Sequence, residues 1–133
     1  MFKKWLKKIK VTTNQKISKS SDNFYKNEAG TQYISNNSLK DKIVLIAGAG
    51  KGIGKAIAKR FASEGAKVMI NSRTQKDLED TLAEIKENDG DCHIYAGDIT
   101  NPETVRKMFI ELKSHYGAPD ICVNSAGTAG FGF

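Results

Sequence analysis

The chain is 133 residues long, which gives room for one domain of ordinary size and little beyond it. Its hydrophobic share of 39% excludes a disordered polar chain, and no apolar stretch approaches the roughly 18 residues of a membrane-spanning helix. The net charge of +6 sits at one end: residues 1–38 carry eight Lys against two acids, residues 39–133 thirteen basic against thirteen acidic side chains, so a broad nucleic-acid-binding surface on the globular part is excluded.

In chain order, the first feature is an amphipathic stretch at residues 1–10. Phe2, Trp5, Leu6 and Ile9 recur at helical spacing, with Lys3, Lys4, Lys7, Lys8 and Lys10 mostly elsewhere around the turn. Such a pattern suits an interfacial segment at a membrane surface; a floppy basic tail, or a helix docked on an acidic partner, fits it too. Residues 12–38 are rich in Ser, Asn, Thr and Lys and read as linker, ending in the polar cluster Ser35, Asn36, Asn37 and Ser38. The expected organisation is therefore a basic tail over 1–38 and a folded unit over 39–133.

Beyond Leu39 short apolar runs of strand length alternate with longer helical stretches. Strands are expected at 43–47, 67–71, 92–96 and 121–124, and helices at 52–64, 75–89 and 102–116. Gly65, Gly90 and Gly117 stand just past the helical runs, where a left-handed C-terminal position favours glycine. Asn101, Pro102 and Glu103 supply a capping side chain, a proline at the first helical position and an acid in the first turn. Near-continuous apolar strands such as Ile43, Val44, Leu45 and Ile46 suit a parallel sheet buried on both faces. Strand and helix in strict alternation then mean an α/β, doubly wound fold with right-handed crossovers. Cys92 and Cys122 lie in apolar runs and read as buried small hydrophobes. With no CxxC pair and no cleavable signal pattern, a reducing cytoplasmic location is expected, with peripheral membrane contact through residues 1–10 as the variant. His93 and His115 have no ligand-spaced partner and read as structural; no metal site is expected.

The decisive segment runs through Ala47, Gly48, Ala49, Gly50, Lys51, Gly52, Ile53 and Gly54, leaving the first of the four strands and opening the first helix. Glycines there permit a tight turn, let the backbone approach a pyrophosphate and let helix and strand pack closely. The helix N-terminus adds free N–H groups and a positive dipole end. The glycine turn is weak by itself and strong in this context, before a helix whose apolar face is Ile53, Ile57, Ala58 and Phe61. A mononucleotide P-loop fits poorly, since its best register, Ala49 to Gly54, Lys55 and Ala56, lacks the first glycine and the Mg²⁺-binding hydroxyl. A purely structural turn would not need four glycines in seven residues.

This segment resembles the TGxxxGxG cofactor loop of the short-chain dehydrogenase/reductase family, with Ala47 where Thr is usual. Asp98, after the third strand in Gly97, Asp98 and Ile99, is similar to the family acid that contacts the adenine ring. Val123, Asn124, Ser125, Ala126 and Gly127 resemble the NNAG motif after the fourth strand, with Ser125 in place of the second Asn. The resemblance covers residues of about 40–133 and implies part of a Rossmann-like sheet, about four strands in the order 3-2-1-4. It also implies a dinucleotide site made of Gly48, Gly50, Lys51, Gly52, Ile53, Gly54, Ser72, Arg73, Asp98, Ile99, Asn124, Ala126 and Gly127. NAD-binding members carry an Asp at the end of the second strand; here the matching residue is Ser72, followed by Arg73. A carboxylate would repel the 2′-phosphate of NADP, whereas a guanidinium binds it with charge assistance. Lys51 adds a second cation of the kind seen in NADP-preferring members, so NADP(H) is expected over NAD(H).

The family's reaction uses Ser, Tyr and Lys, the last two spaced as YxxxK, with the tyrosine as general acid and hydride passing from nicotinamide to a carbonyl carbon. Four residues after Tyr25, Tyr33, Tyr95 and Tyr116 stand Ala29, Asn37, Ile99 and Asp120, so YxxxK is absent and no catalytic residue can be carried over. Two readings follow. One is an NADP(H)-dependent oxidoreductase, acting between a small carbonyl and its alcohol, whose sequence here is truncated. The other is a non-catalytic NADP(H)-binding or interaction module, or the product of a decayed gene. In either case the fourth strand is expected at an open sheet edge, favouring self-association.

Overall fold

The computed structural model of the chain describes residues 23–26 and 32–127. The amphipathic stretch at 1–10 and Phe131 and Phe133 beyond the fourth large strand lie outside the described residues. In chain order the elements are β1 (Asn23–Lys26), β2 (Gln32–Ser35), β3 (Ile43–Ala47), α1 (Gly52–Ser63), β4 (Lys67–Ser72), α2 (Gln75–Glu87), β5 (Asp91–Ala96), α3 (Pro102–His115) and β6 (Ile121–Asn124). The four strands and three helices expected beyond residue 39 are all present, with ends within two residues of those expected.

Strands β3 to β6 form one parallel sheet in the order β5-β4-β3-β6, which is 3-2-1-4 when these four are counted along the chain. Side chains alternate across it. Val44, Ile46, Val68, Ile70 and Cys92 point to one face, where Ala58 and Ala62 of α1 and Leu78 and Ile85 of α2 cover them. Leu45 and Met69 point to the other, under Met108 and Leu112 of α3. Two covered faces explain why the central strands read as unbroken apolar runs.

Several expectations need correction. The stretch that composition assigns to a linker contains an antiparallel hairpin, with Asn23 opposite Ser35 and Lys26 opposite Gln32. Its end is anchored: Ser35 is buried and its hydroxyl donates to the Ser63 carbonyl at 2.7 Å. Cys122 is exposed, unlike Cys92, because β6 ends the sheet and alternates half-buried and exposed positions. Burial pushes the Cys92 thiol up to about 12, which leaves it inert. The left-handed position after α2 is Asp89, at φ 60°, rather than Gly90. Gly90 is needed for space instead, since a Cβ there would lie 2.6 Å from the Ile85 side chain. His93 and His115 keep the structural reading: their rings stack with centroids 4.1 Å apart, Tyr116 meets His115 edge-on, and Glu111 lies 3.1 Å from His93.

Candidate functional site

The carboxyl ends of the four parallel strands converge on one cleft of about 520 Å³. It lies where the strand order reverses, since the chain steps from β3 outward through β4 to β5 and then returns to place β6 on the other side of β3. Such a switch point leaves a crevice at the strand ends, the usual ligand position in open α/β sheets.

The glycine turn forms its floor. Gly48 N and Ala49 N both donate to the Asn71 carbonyl, at 2.8 and 2.9 Å, which ties the turn to the end of β4. Gly48 has φ +76°, and a Cβ on it would lie 2.5 Å from Ala126 N, so the loop after β6 rests on this backbone. Gly54 is the second constrained position: a Cβ there would sit 2.1 Å from the Gly48 carbonyl oxygen, so only glycine lets α1 start so close to the strand. From Gly54 the helix buries Ala58 and Ala62, small residues at four-residue spacing that keep it close to the sheet. Ile53, expected on that apolar face, is 76% exposed instead.

The start of α1 is left bare. Lys51 occupies the cap position without a capping side-chain bond, and the first turn contains no acid. The N–H groups of an uncapped first turn and the positive end of the helix dipole favour an anion.

Around the floor stand the walls. Gly48, Gly50, Lys51, Ser72, Arg73, Asp98, Ile99, Ala126 and Gly127, all expected at the site, line the cleft. Gly52, Ile53, Gly54 and Asn124 do not. Gly54 and Asn124 act behind it: Asn124 Oδ1 accepts from Ala126 N at 3.1 Å and so shapes the loop after β6. Gly52 has open space where a side chain would begin. Ser72 Oγ accepts from Thr74 N at 3.0 Å, turning the chain so that the exposed Arg73 borders the cleft. Asp98 Oδ1 accepts from Thr100 N at 2.9 Å and Thr100 Oγ1 at 2.8 Å. Those bonds, aided by the nearby Arg73 charge, hold the Asp98 carboxyl below its ordinary range.

Asn71, Thr74, Asp77, Gly97, Thr100 and Ser125 also line the cleft; the sequence assigned none of them to the site, although Gly97 and Ser125 stand within the motifs quoted for it. Asn71 is the most constrained of them: buried, it donates through Nδ2 to the carbonyls of Tyr95 at 2.9 Å and Gly97 at 3.2 Å. One residue thus joins the two turns, its main-chain carbonyl holding the turn after β3 and its side-chain amide the turn after β5. Thr81, fully buried in α2, braces the glycine turn from behind by donating toward the carbonyls of Ala49 and Gly50. Both are short polar residues inside elements, a pattern indistinguishable in sequence from a solvated position. Among the described residues there is no cluster of three or more His, Cys, Asp or Glu able to hold a metal ion.

The family model for short chain dehydrogenases matches residues 42–133. Elsinochrome reductase 1 of Elsinoe fawcettii is 36% identical over 102 residues, covering 76% of this chain and 38% of that protein. A probable 2,4-dienoyl-CoA reductase of Caenorhabditis elegans is 42% identical over 95 residues, 70% of this chain and 31% of that protein. Among solved structures, an actinorhodin polyketide ketoreductase with NADPH superposes with a TM-score of 0.67 at 30% identity, over 69% of this chain and 35% of that one. A metagenomic short-chain oxidoreductase in complex with NADP gives 0.68 at 30% identity, over 71% and 43%. The chain therefore spans well under half the length of these relatives.

Proposed function

From the premise that the chain belongs to the short-chain dehydrogenase family, we propose that its cleft binds NADP(H) in preference to NAD(H), and that it forms the cofactor-holding part of an oxidoreductase acting between a small carbonyl and its alcohol. The observation that carries this reading is the uncapped start of α1 beside a glycine turn that has no room for a side chain at Gly48, Gly50 or Gly54. Backbone amides there suit a pyrophosphate. Ser72 and Arg73 at the end of β4, with Lys51 lining the same cleft, suit a 2′-phosphate. Asp98 and Ile99 border the adenine side, and Asn124, Ala126 and Gly127 shape the side toward the nicotinamide.

A bound nicotinamide dinucleotide would supply the hydride. This chain's own part is to bind and orient it, because the 133 residues contain no YxxxK and hence no family-type general acid. A module that binds NADP(H) without turning it over is the second reading. No helix among the described residues is long and apolar enough to cross a membrane; contact of residues 1–10 with an anionic surface in the cytoplasm, and pairing of two copies along β6, belong to the proposal.

The test is a titration with NADPH and NADH of the chain and of Arg73→Ala. The variant is expected to lose tenfold or more in NADPH affinity, in line with the ~1.5–3 kcal/mol of a hydrogen bond to a charged group, while NADH is little changed. Equal losses for both would contradict the assignment of Arg73 to a 2′-phosphate.

A further inference from the structure

Four charged side chains line the cleft: Lys51, Arg73, Asp77 and Asp98. Their charges cancel, which is an odd complement for a ligand that carries several negative charges. Asp98 is engaged by Thr100. Asp77 faces the other cation instead, with its Oδ2 3.6 Å from Lys51 Nζ.

The two partners differ in freedom. The Asp77 side chain is 21% exposed and that of Lys51 81%, so the carboxylate is the fixed member and the ammonium the movable one. The position of the carboxylate matters as well. A Cβ on Gly50 would lie 2.8 Å from Ser72 Oγ and 2.9 Å from Asp77 Cβ, so the glycine turn, the end of β4 and the first turn of α2 meet at one point. That point adjoins Ser72 and Arg73, where the proposed function places the 2′ substituent of the adenosine ribose.

We infer that Asp77 sets how strongly the cleft discriminates a 2′-phosphorylated dinucleotide from an unphosphorylated one, by competing for Lys51 and opposing a second negative charge beside it. The inference rests on the proposed function and deepens it. A phosphate arriving there must draw Lys51 away from Asp77, and it meets an unneutralised carboxylate within the screening length of physiological salt, about 8 Å. A 2′-hydroxyl does neither. The carboxylate therefore weakens NADPH binding selectively. A merely structural role is open to it too, since an acid in the first turn of α2 stabilises that helix through its dipole, and such a role would act on both dinucleotides alike.

Calorimetric dissociation constants of NADPH and NADH for the chain, Asp77→Asn, Asp77→Glu, Lys51→Met and the Lys51→Met/Asp77→Asn double variant separate these roles. Circular dichroism checks folding, and Asp77→Ser stands in should the Asn variant not fold. Asp77→Asn is expected to tighten NADPH by about three- to tenfold with NADH changed less than about twofold, a gain that shrinks when Lys51 is Met, while Asp77→Glu behaves as the parent. An unchanged NADPH constant, or a parallel loss for both dinucleotides, overturns the inference but leaves the proposed function standing. Selective loss of NADH binding also overturns it, by showing that Asp77 accepts a ribose hydroxyl. A folded parent chain that binds neither dinucleotide removes the proposed function and the inference together.

Discussion

The two ends of the parallel sheet are built in opposite ways. At the amino ends of the strands, polar groups are paired with one another. Glu64, at the end of α1, is 6% exposed and takes hydrogen bonds from Ser35 Oγ, Asn36 N, Ser38 N and Ser38 Oγ, all at 3.2–3.3 Å, and an ion pair from Arg60 at 3.0 Å. Asp120 Oδ2 likewise accepts from Ile43 N at 2.8 Å. At the carboxyl ends the pattern reverses: glycines replace side chains, the first turn of α1 has no cap, and charged groups border an open cleft. One end spends its polar groups on stability, and the other keeps them for a ligand. Substitutions at the closed end should therefore unfold the chain, whereas those lining the open end should change binding with little effect on stability.

The largest expected effect tests where that division breaks down. Gly54→Ala belongs to the open end, yet it drives a methyl group into the Gly48 carbonyl and must move α1 or the turn. We expect a loss on the order of 3 kcal/mol or more, read as a fall in the urea midpoint, together with loss of dinucleotide binding. A stable variant with unaltered binding would show that the close approach of helix and turn is not needed.

At the closed end, Glu64→Ala leaves the Asn36 and Ser38 amides and the Ser38 hydroxyl without their acceptor and should cost about 2–3 kcal/mol. The same site gives a pH prediction. Burial pushes the Glu64 carboxyl up, but the bonds from Ser38, Ser35 and Asn36 outweigh it and hold it below its ordinary range. A depressed carboxyl contributes stability above its unfolded value of about 4.3 and loses it as pH falls through the folded value. Urea midpoints should therefore drop across that acid window in the parent, and Glu64→Gln should flatten the drop. An identical acid limb in both proteins would contradict the role given to this carboxylate.

Thr81→Val joins the two ends, because Thr81 sits in the core yet braces the glycine turn. Its hydrogen bonds are long, 3.4 Å each, so a loss of only about 1 kcal/mol is expected, with a weaker grip on the dinucleotide as the turn loosens. Unchanged affinity would confine Thr81 to packing. The smallest effect expected is in assembly. Strand β6 ends the sheet with Ile121, Cys122, Val123 and Asn124, without Lys or Pro to deter pairing. Cys122→Asp should reduce any concentration-dependent association seen by light scattering, and a parent that stays monomeric at high concentration would refute pairing along this edge.

The open end was far more legible in the sequence than the closed one. Gly48, Gly50, Lys51, Ser72, Arg73 and Asp98, which line the cleft, are visible in the sequence because glycine spacing and strand-end position are local properties of the chain. The anchoring of residues 35–38 does not, because Glu64 recruits them from 26 or more positions away and a run of Ser and Asn looks the same whether solvated or paired. The hairpin β1-β2 escaped for a related reason: two four-residue strands in polar surroundings carry little periodic signal. Asn71, Thr81 and Asp77 matter only through neighbours on other elements, and Cys122 was misjudged because an apolar strand does not state whether both its faces are covered.

The most direct test of the account follows backbone amide resonances of the folded chain during titration with NADPH. Saturable shifts concentrated at residues 48–54, 72–73 and 98–99, with residues 35–43 and 64 unmoved, are the expected result. A folded sample that shows no saturable change, or one whose shifts fall at the amino ends of the strands, would contradict the claim that the glycine turn at the mouth of α1 receives the dinucleotide.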